Sequence, residues 1–97
     1  MNKLVTICIP TFNAEKTISA TLDSLFDQTY KNIKIKVFDN CSTDKTQKIV
    51  KDYENKYKNL KLYINESNLG GEGNFTKCIA ASEGDYTALF HADDIYL

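Results

Sequence analysis

Two adjacent carboxylates, Asp93 and Asp94, follow a short apolar segment near the end of the sequence, with His91 just before them. Side-by-side negative charges repel each other unless a cation lies between or beside them. Carboxylate oxygens suit Mg²⁺ or Mn²⁺, and these ions typically bridge protein carboxylates and substrate phosphates. The pair therefore indicates a metal site for a diphosphate, and the alternative is that it caps a turn or a helix. For His91, a ligand contact is favoured over a hydrogen-bonded position in the core.

A further strand-end carboxylate is Asp39, which precedes a dense polar turn. A carboxylate at such a point binds a base, a ribose or a metal, or it starts the turn. Ser42, Thr43 and Asp44 can supply the turn and the cap of the next helix. We therefore expect Asp39 to be left for a ligand.

Two other polar segments also follow predicted strands. They contribute these candidate nucleotide contacts: Pro10, Thr11, Phe12, Asn13, Asn68 and Gly70. Glycines in the second segment allow a positive φ and a close approach of the backbone to a ligand, but for this segment taken alone an ordinary flexible loop is favoured. The sequence has no G-x-G-x-x-G after its first strand and no Walker A lysine loop, so the usual dinucleotide and P-loop interpretations fail.

The spacing of apolar residues predicts four short strands that alternate with three helices. The strands are predicted over residues 4–9, 33–38, 60–64 and 86–90, and the helices over 14–29, 45–57 and 74–82. Asn13 is the expected N-cap of the first helix, and Asp44 with Gln47 resembles a capping box for the second. Because Pro10 has no N–H, the first strand is expected to end before it.

The order β-α-β-α-β-α-β has no hairpin-length connection, which predicts an α/β fold with a parallel sheet, flanking helices and right-handed crossovers. All strands of a parallel sheet end at the same edge, and ligands bind beyond their carboxyl ends. The four polar segments are therefore expected to converge there and to form the binding site.

The composition excludes several other classes. A chain of 97 residues with 42% hydrophobic residues suits one small packed domain. A net charge of -1 provides no positive electrostatic field that would attract nucleic acid. No apolar run is long enough for a membrane span. The 3 cysteines are odd in number and far apart, which fits free thiols and a cytoplasmic location.

Taken in order, four stretches resemble the family-2 glycosyltransferases with the GT-A fold. VTICIPTFNAEKTISATLDSLFDQTY is similar to that family's opening strand, Pro-Thr-aromatic-Asn loop and first helix. KIKVFDNCSTDKT resembles its strand leading into Asp-Asp-Gly-Ser-Thr-Asp-x-Thr, and NLGGEGN resembles Asn-x-Gly followed by Asn. ASEGDYTALFHADD resembles Ala-x-x-Gly-x-Tyr leading to the Asp-x-Asp metal motif. The resemblance covers nearly the whole chain.

This resemblance implies that residues 1–97 are the nucleotide-sugar-binding, Rossmann-like N-terminal part of a GT-A fold. The family moves a sugar from a nucleotide diphosphate donor, commonly a UDP-sugar, to a saccharide or lipid-linked acceptor hydroxyl with inversion. By resemblance, Thr11 and Phe12 line the nucleotide pocket and Asp39 accepts from the base. Asp93 corresponds to the second Asp of the metal motif, with Asp94 beside it and Mn²⁺ or Mg²⁺ as the cofactor. Cell-surface polysaccharide synthesis is the implied process.

The sequence also departs from the family pattern. His91 stands in place of the first Asp of the metal motif, and Asn40 and Cys41 stand in place of Asp-Gly. Nothing matches the later half of the fold, so the catalytic base and the acceptor wall are expected beyond Leu97. We therefore expect this chain alone not to transfer sugar, and to self-associate through an exposed sheet edge. A non-catalytic nucleotide-binding module is the alternative function, whereas a receiver domain fits less well because its acids follow the first and third strands.

Overall fold

The computed structural model describes residues 4–27, 32–80 and 86–89, and within these ranges it confirms the predicted alternation of strands and helices. In chain order the elements are β1 Val5–Thr11, α1 Ile18–Phe26, β2 Ile33–Asp39, α2 Thr46–Lys56, β3 Leu60–Ile64, α3 Gly70–Ala80 and β4 Tyr86–Leu89. The predicted bounds of the third strand agree with β3, and those of the other elements differ by a few residues.

The strands form a parallel sheet in the order β3-β2-β1-β4. The chain adds β2 and β3 on one side of β1 and then returns to add β4 on the other side. Right-handed crossovers in opposite directions place α1 and α2 on one face and α3 on the other. The direction in which the chain adds strands therefore reverses between β1 and β4, although all the strands run parallel. At such a switch point a crevice opens beyond the carboxyl ends of the strands.

The main core lies between the sheet and the first two helices. Alternate residues of β1 and β2, including Ile7, Ile9, Ile35 and Val37, are buried on the same face. They pack against the apolar stripe of α1, which is formed by Ile18, Leu22 and Leu25, and against Val50 of α2. The apolar residues whose spacing predicted the first helix thus form the side of that helix that faces the core.

An aromatic cluster joins the outer ends of α1 and α2. The rings of Phe26 and Tyr57 stack with their centroids 3.6 Å apart, and Tyr53 lies beside both. The Tyr53 hydroxyl donates to Asp23 Oδ1 at 2.6 Å, and the Ser19 carbonyl oxygen lies 3.3 Å from the same hydroxyl oxygen. Burial and the hydrogen bond to Asp23 raise the pKa of Tyr53 above its ordinary value of 10.0. Through these contacts Tyr53 and Tyr57 pack α1 against α2.

The prediction that β1 ends before Pro10 was wrong, because β1 continues to Thr11. The carbonyl of Thr11 accepts from the Asn40 N–H at 2.8 Å, so Thr11 faces the β2 side. Backbone groups of successive strand residues point to alternate sides. The nitrogen of Pro10, which carries no hydrogen, therefore faces the β4 side. The described pairing with β4 ends before Pro10, at Cys8 with Leu89.

Two helix starts were also predicted wrongly. The first helix begins at Ile18 after a turn in which the Ala14 carbonyl accepts from the Thr17 and Ile18 N–H groups, and no side chain caps it. Asn13, the expected N-cap, has a φ of 47° and bonds elsewhere. The third helix begins at Gly70 rather than Asn74, so half of the predicted glycine loop is helical.

Within the part of the chain that the structure describes, no helix combines the length and hydrophobicity needed to cross a membrane. Cys8 is buried and Cys41 is half-buried, and neither of these two cysteines is in a disulfide bond.

Candidate functional site

The carboxyl ends of β1, β2 and β3 are tied together by backbone hydrogen bonds that continue the ladder beyond the strands. The Asn40 N–H donates to the Thr11 carbonyl at 2.8 Å, and the Asn65 N–H donates to the Asp39 carbonyl at 2.9 Å. The polar segments that follow these three strands therefore start side by side. This confirms the predicted convergence for three of the four segments, because the fourth lies outside the described residues.

Asp39 is fully buried at the end of β2, with 0% of its surface exposed. Its Oδ2 accepts from the Ser42 N–H and from Gln47 Nε2, both at 2.8 Å, and its Oδ1 accepts from the Ser42 hydroxyl at 2.6 Å. The expectation that this carboxylate is left over from the turn was wrong. A buried charge needs such donors, so Asp39 itself organises the turn.

Gln47 does not complete the predicted capping box, because its amide reaches Asp39 instead of the backbone of Asp44. Asp44 does act at the start of α2, where its Oδ1 accepts from the Thr46 N–H at 2.9 Å. Partial burial acts to raise the pKa of Asp44, but hydrogen bonds from the hydroxyl and N–H of Thr46 and from the Glu15 N–H outweigh it. The pKa therefore lies below the ordinary value of 3.8.

Asn13 locks the loop after β1 to the loop after β2. Its N–H donates to Ser42 Oγ at 2.8 Å, and its Oδ1 accepts from the Thr43 N–H at 2.8 Å. The left-handed backbone of Asn13, which asparagine tolerates better than most residues, turns both groups toward the neighbouring loop. The N–H and Oδ1 of Asn13, a predicted nucleotide contact, are therefore used to hold the two loops together.

The same two loops are joined again at the start of α2. The Ala14 N–H donates to Thr46 Oγ1 at 2.8 Å, and the Lys45 N–H donates to Glu15 Oε1 at 3.0 Å. Backbone donors that no helix satisfies are thus paired across the two loops. The edge beside β1 and β2 is consequently fixed before any ligand arrives.

A cluster of four asparagines, Asn40, Asn65, Asn68 and Asn74, occupies the neighbouring edge between β2, β3 and α3. Asn65 Nδ2 donates to Asn40 Oδ1 at 3.1 Å and to Asn74 Oδ1 at 2.8 Å. Asn74 Nδ2 donates to the Phe38 carbonyl at 2.9 Å, which fastens α3 to β2. We call this group the asparagine cluster. Its role was not predicted, although Asn40 and Asn65 stand directly after two strands in the sequence.

The remaining predicted contacts differ in exposure. Phe12 is 50% exposed, whereas the Thr11 side chain is 2% exposed and its hydroxyl donates to the Ile9 carbonyl at 3.1 Å. Pro10 is half-buried, and Asn68 and Gly70 are exposed. Gly70 has a φ of 74°, a positive value of the kind that the glycines of this segment were expected to allow.

The predicted metal ligands Asp93 and Asp94, and the predicted contact His91, lie outside the described residues. Among residues 4–27, 32–80 and 86–89 there is no group of three or more His, Cys, Asp or Glu side chains that could hold a metal ion. The described part of the edge therefore supplies the loop framework, and the metal assignment stays a prediction.

The strand order, the switch point beside β1 and the interlocked polar loops define a doubly wound α/β protein with its binding edge at the carboxyl ends of the strands. The chain belongs to glycosyl transferase family 2, whose model matches residues 6–97. The family resemblance seen in the sequence is thereby confirmed.

Two relatives show how the match is distributed. Over 92 residues the chain is 38% identical to the Methanococcus voltae protein dolichyl N-acetyl-alpha-D-glucosaminyl phosphate 3-beta-D-2,3-diacetamido-2,3-dideoxy-beta-D-glucuronosyltransferase, covering 91% of this chain and 28% of that one. The structure of Staphylococcus aureus TarS 1-349 in complex with UDP-GlcNAc is 35% identical with a TM-score of 0.85, covering 94% of this chain and 27% of TarS. TarS is a poly(ribitol-phosphate) beta-N-acetylglucosaminyltransferase. The chain thus spans less than a third of the length of either relative.

The mannosyltransferase PcManGT from Pyrobaculum calidifontis, in complex with GDP-Man and Mn²⁺, has the same fold. Its TM-score is 0.87 at 23% identity, over 98% of this chain and 29% of that one. At this identity the similarity concerns the fold alone. Together with TarS it confirms the predicted α/β fold of the GT-A type.

Proposed function

We propose that this chain forms the donor-nucleotide-binding part of a glycosyltransferase that moves a sugar from a UDP-sugar to an acceptor hydroxyl with inversion. The observation that carries the proposal is the family match over residues 6–97, because it includes the three loops that the structure fastens together at the carboxyl edge. The complex of TarS with UDP-GlcNAc supports a UDP-sugar as the donor class. The dolichyl acceptor in the name of the Methanococcus voltae relative supports a lipid-linked or saccharide acceptor, and the poly(ribitol-phosphate) acceptor in the name of TarS supports cell-surface polymer synthesis as the process.

Phe12 is the residue of the first loop that is best placed to meet a nucleotide base. Half of its surface is exposed, and the chain directly after it is held by the hydrogen bonds of the Asn13 and Ala14 N–H groups. An aromatic ring stacks on a base with a gain of about 1–3 kcal/mol. We assign the base-stacking role to Phe12. The further proposed nucleotide contacts are Pro10 and Thr11 at the end of β1, Asn68 just before α3 and Gly70 at the start of α3.

The Asp93–Asp94 pair is proposed to hold Mn²⁺ or Mg²⁺ with the diphosphate, with His91 beside it. Two carboxylates match the oxygen ligands that these hard ions prefer, so the donor set fits the metal. A bound ion would neutralise the charge of the diphosphate leaving group. This chain's carboxylates would bind that ion, and the loops after β1, β2 and β3 would orient the nucleotide.

Calorimetry with UDP, with and without Mn²⁺, tests the proposal. We expect metal-dependent binding by the wild type and loss of the metal effect in Asp93→Ala. Asp52→Ala on the exposed side of α2 is the matched control and should bind as the wild type does. Phe12→Ala should weaken UDP binding by about 5- to 100-fold, while Phe12→Tyr should retain it. UDP binding of equal affinity with and without metal would refute the metal site.

Self-association through a sheet edge stays a proposal, and the β3 edge has one feature that opposes it. The Leu62 N–H donates to Glu54 Oε2 of α2 at 2.9 Å, so this backbone donor is not available to a strand from another molecule. Sedimentation of the wild type and Glu54→Ala over a range of concentrations tests the idea. A larger oligomer fraction in the variant would identify β3 as the edge that pairs.

A further inference from the structure

Asn40 uses its whole side-chain amide to hold the segment before α3 against the end of β2. Its Nδ2 donates to Asn68 Oδ1 at 3.0 Å and to the Gly70 carbonyl at 3.2 Å. Its Oδ1 accepts from the Leu69 N–H at 2.8 Å and from Asn65 Nδ2. An asparagine amide has two donor hydrogens and two acceptor sites, so all four are occupied. Asn40 is also 4% exposed, which makes it part of the framework and not of the open surface.

The bonds of Asn40 reach the two residues of this segment that are candidates for nucleotide contact. Asn68 Oδ1 also accepts from the Gly70 N–H at 2.7 Å. The same oxygen is therefore bonded both within the turn into α3 and to Asn40. The positive φ of Gly70 fixes the direction in which the helix starts. Moving Asn40 would therefore move Asn68 and Gly70 relative to the loop of Phe12.

The chemistry of this contact depends on an amide. The family pattern that the sequence resembles has Asp at this position, and a carboxylate has no hydrogen to donate at neutral pH. An Asp in place of Asn40 would point an unpaired charged oxygen at Asn68 Oδ1 and the Gly70 carbonyl. Because Asn40 is buried, a carboxylate oxygen there that faces other oxygens without a hydrogen between them would be destabilising. The asparagine is thus specific to the arrangement that this chain adopts.

We propose that Asn40 is a positioning residue for nucleotide binding, which acts through Asn68 and Gly70 and sets the distance between the segment before α3 and the loop of Phe12. This inference rests on the proposed nucleotide-binding function. It predicts that Asn40→Asp, although it restores the residue of the family pattern, weakens binding of UDP.

The test compares Asn40→Asp, Asn40→Ala and Asn68→Ala with the control Asn59→Asp. Asn59 makes the same kind of bond at the other end of the sheet, where its Nδ2 donates to the Ile33 carbonyl at 3.1 Å. We expect UDP affinity to fall about tenfold or more in Asn40→Asp and about fivefold in Asn68→Ala, with no change in Asn59→Asp. The double variant Asn40→Ala/Asn68→Ala should lose no more affinity than Asn40→Ala, because Asn40 acts partly through Asn68 and its removal already includes the effect of losing Asn68.

Hydrogen exchange at the Leu69 and Gly70 amides separates this inference from the proposed function. Both amides should exchange faster in Asn40→Asp and Asn40→Ala and remain protected in Asn59→Asp. If the wild type fails to bind UDP, the proposed function is wrong and the nucleotide role of Asn40 falls with it, even if the amides respond as expected. If the wild type binds UDP and Asn40→Asp binds as tightly or more tightly, the positioning role is refuted. Additive losses in the double variant would refute it as well.

Discussion

Replacement of Asp39 should destabilise the fold far more than it changes the selectivity of binding. In Asp39→Ala three hydrogen bonds disappear, namely those from the Ser42 N–H, the Ser42 hydroxyl and Gln47 Nε2. The residue is fully buried, so water cannot replace the lost acceptors without entering the site. The turn after β2 also carries the partners of Asn13, so the loop after β1 would lose its support.

The size of the effect follows from the type of bond. A hydrogen bond to a charged group contributes about 1.5–3 kcal/mol, and effects within one network are not additive. We therefore expect Asp39→Ala to lower the free energy of unfolding by about 3–5 kcal/mol, from a total of roughly 5–15 kcal/mol for a domain of this size. Asp39→Asn should lose only about 1–2 kcal/mol, because one oxygen is kept and the new amide can donate to the Ser42 hydroxyl.

Urea unfolding followed by circular dichroism measures these differences. Asp52→Ala is the control, since Asp52 makes an exposed ion pair with Lys48 that contributes at most about 0.5 kcal/mol. Calorimetry of folded protein with UDP and with pyrophosphate then separates the two roles of Asp39. If Asp39→Ala is nearly as stable as the wild type but loses UDP affinity tenfold while keeping pyrophosphate affinity, Asp39 reads the base and the structural role argued here is refuted.

Three further predictions concern other parts of the molecule. Cys41→Gly should raise the free energy of unfolding by about 0.5 kcal/mol in urea titrations, because Cys41 has a φ of 66° that glycine adopts without strain; a loss above about 1 kcal/mol would mean that the hydrogen bond from the Cys41 thiol to the Asn65 carbonyl, at 3.1 Å, dominates. Tyr53→Phe should cost about 1 kcal/mol through the lost bond to Asp23, and the wild type should lose this advantage as the pH rises above 10.0, since the folded-state pKa of Tyr53 is raised. Asp44 has a lowered pKa, so its contribution is present above the ordinary value of 3.8 and fades as the pH falls through the folded-state pKa. The stability difference between the wild type and Asp44→Asn should therefore shrink on acidification, and a difference that is constant with pH would contradict this assignment.

The sequence was sufficient for the class of fold and for the general place of the site. Alternation of short β-rich runs with amphipathic segments gave the parallel α/β architecture, since the apolar stripe of α1 and the alternate apolar residues of β1 and β2 must face one core. Strands without hairpin connections then bring their carboxyl ends to one edge. The family was visible for the same reason, because its motifs lie in the loops at that edge.

What the sequence did not determine is which polar side chains face a ligand and which hold the loops. Asp39 and Asn13 follow strands just as ligand-binding residues do, yet both are bonded within the interlocked loops. Only the tertiary structure brings Ser42 to Asn13, across 29 residues of sequence, or Asn40 to Asn68, across 28. Local patterns report what a residue can donate or accept, whereas the partner it meets depends on the register of the strands and the packing of the helices. For that reason the edge was predictable, and the division of its residues between framework and binding surface was not.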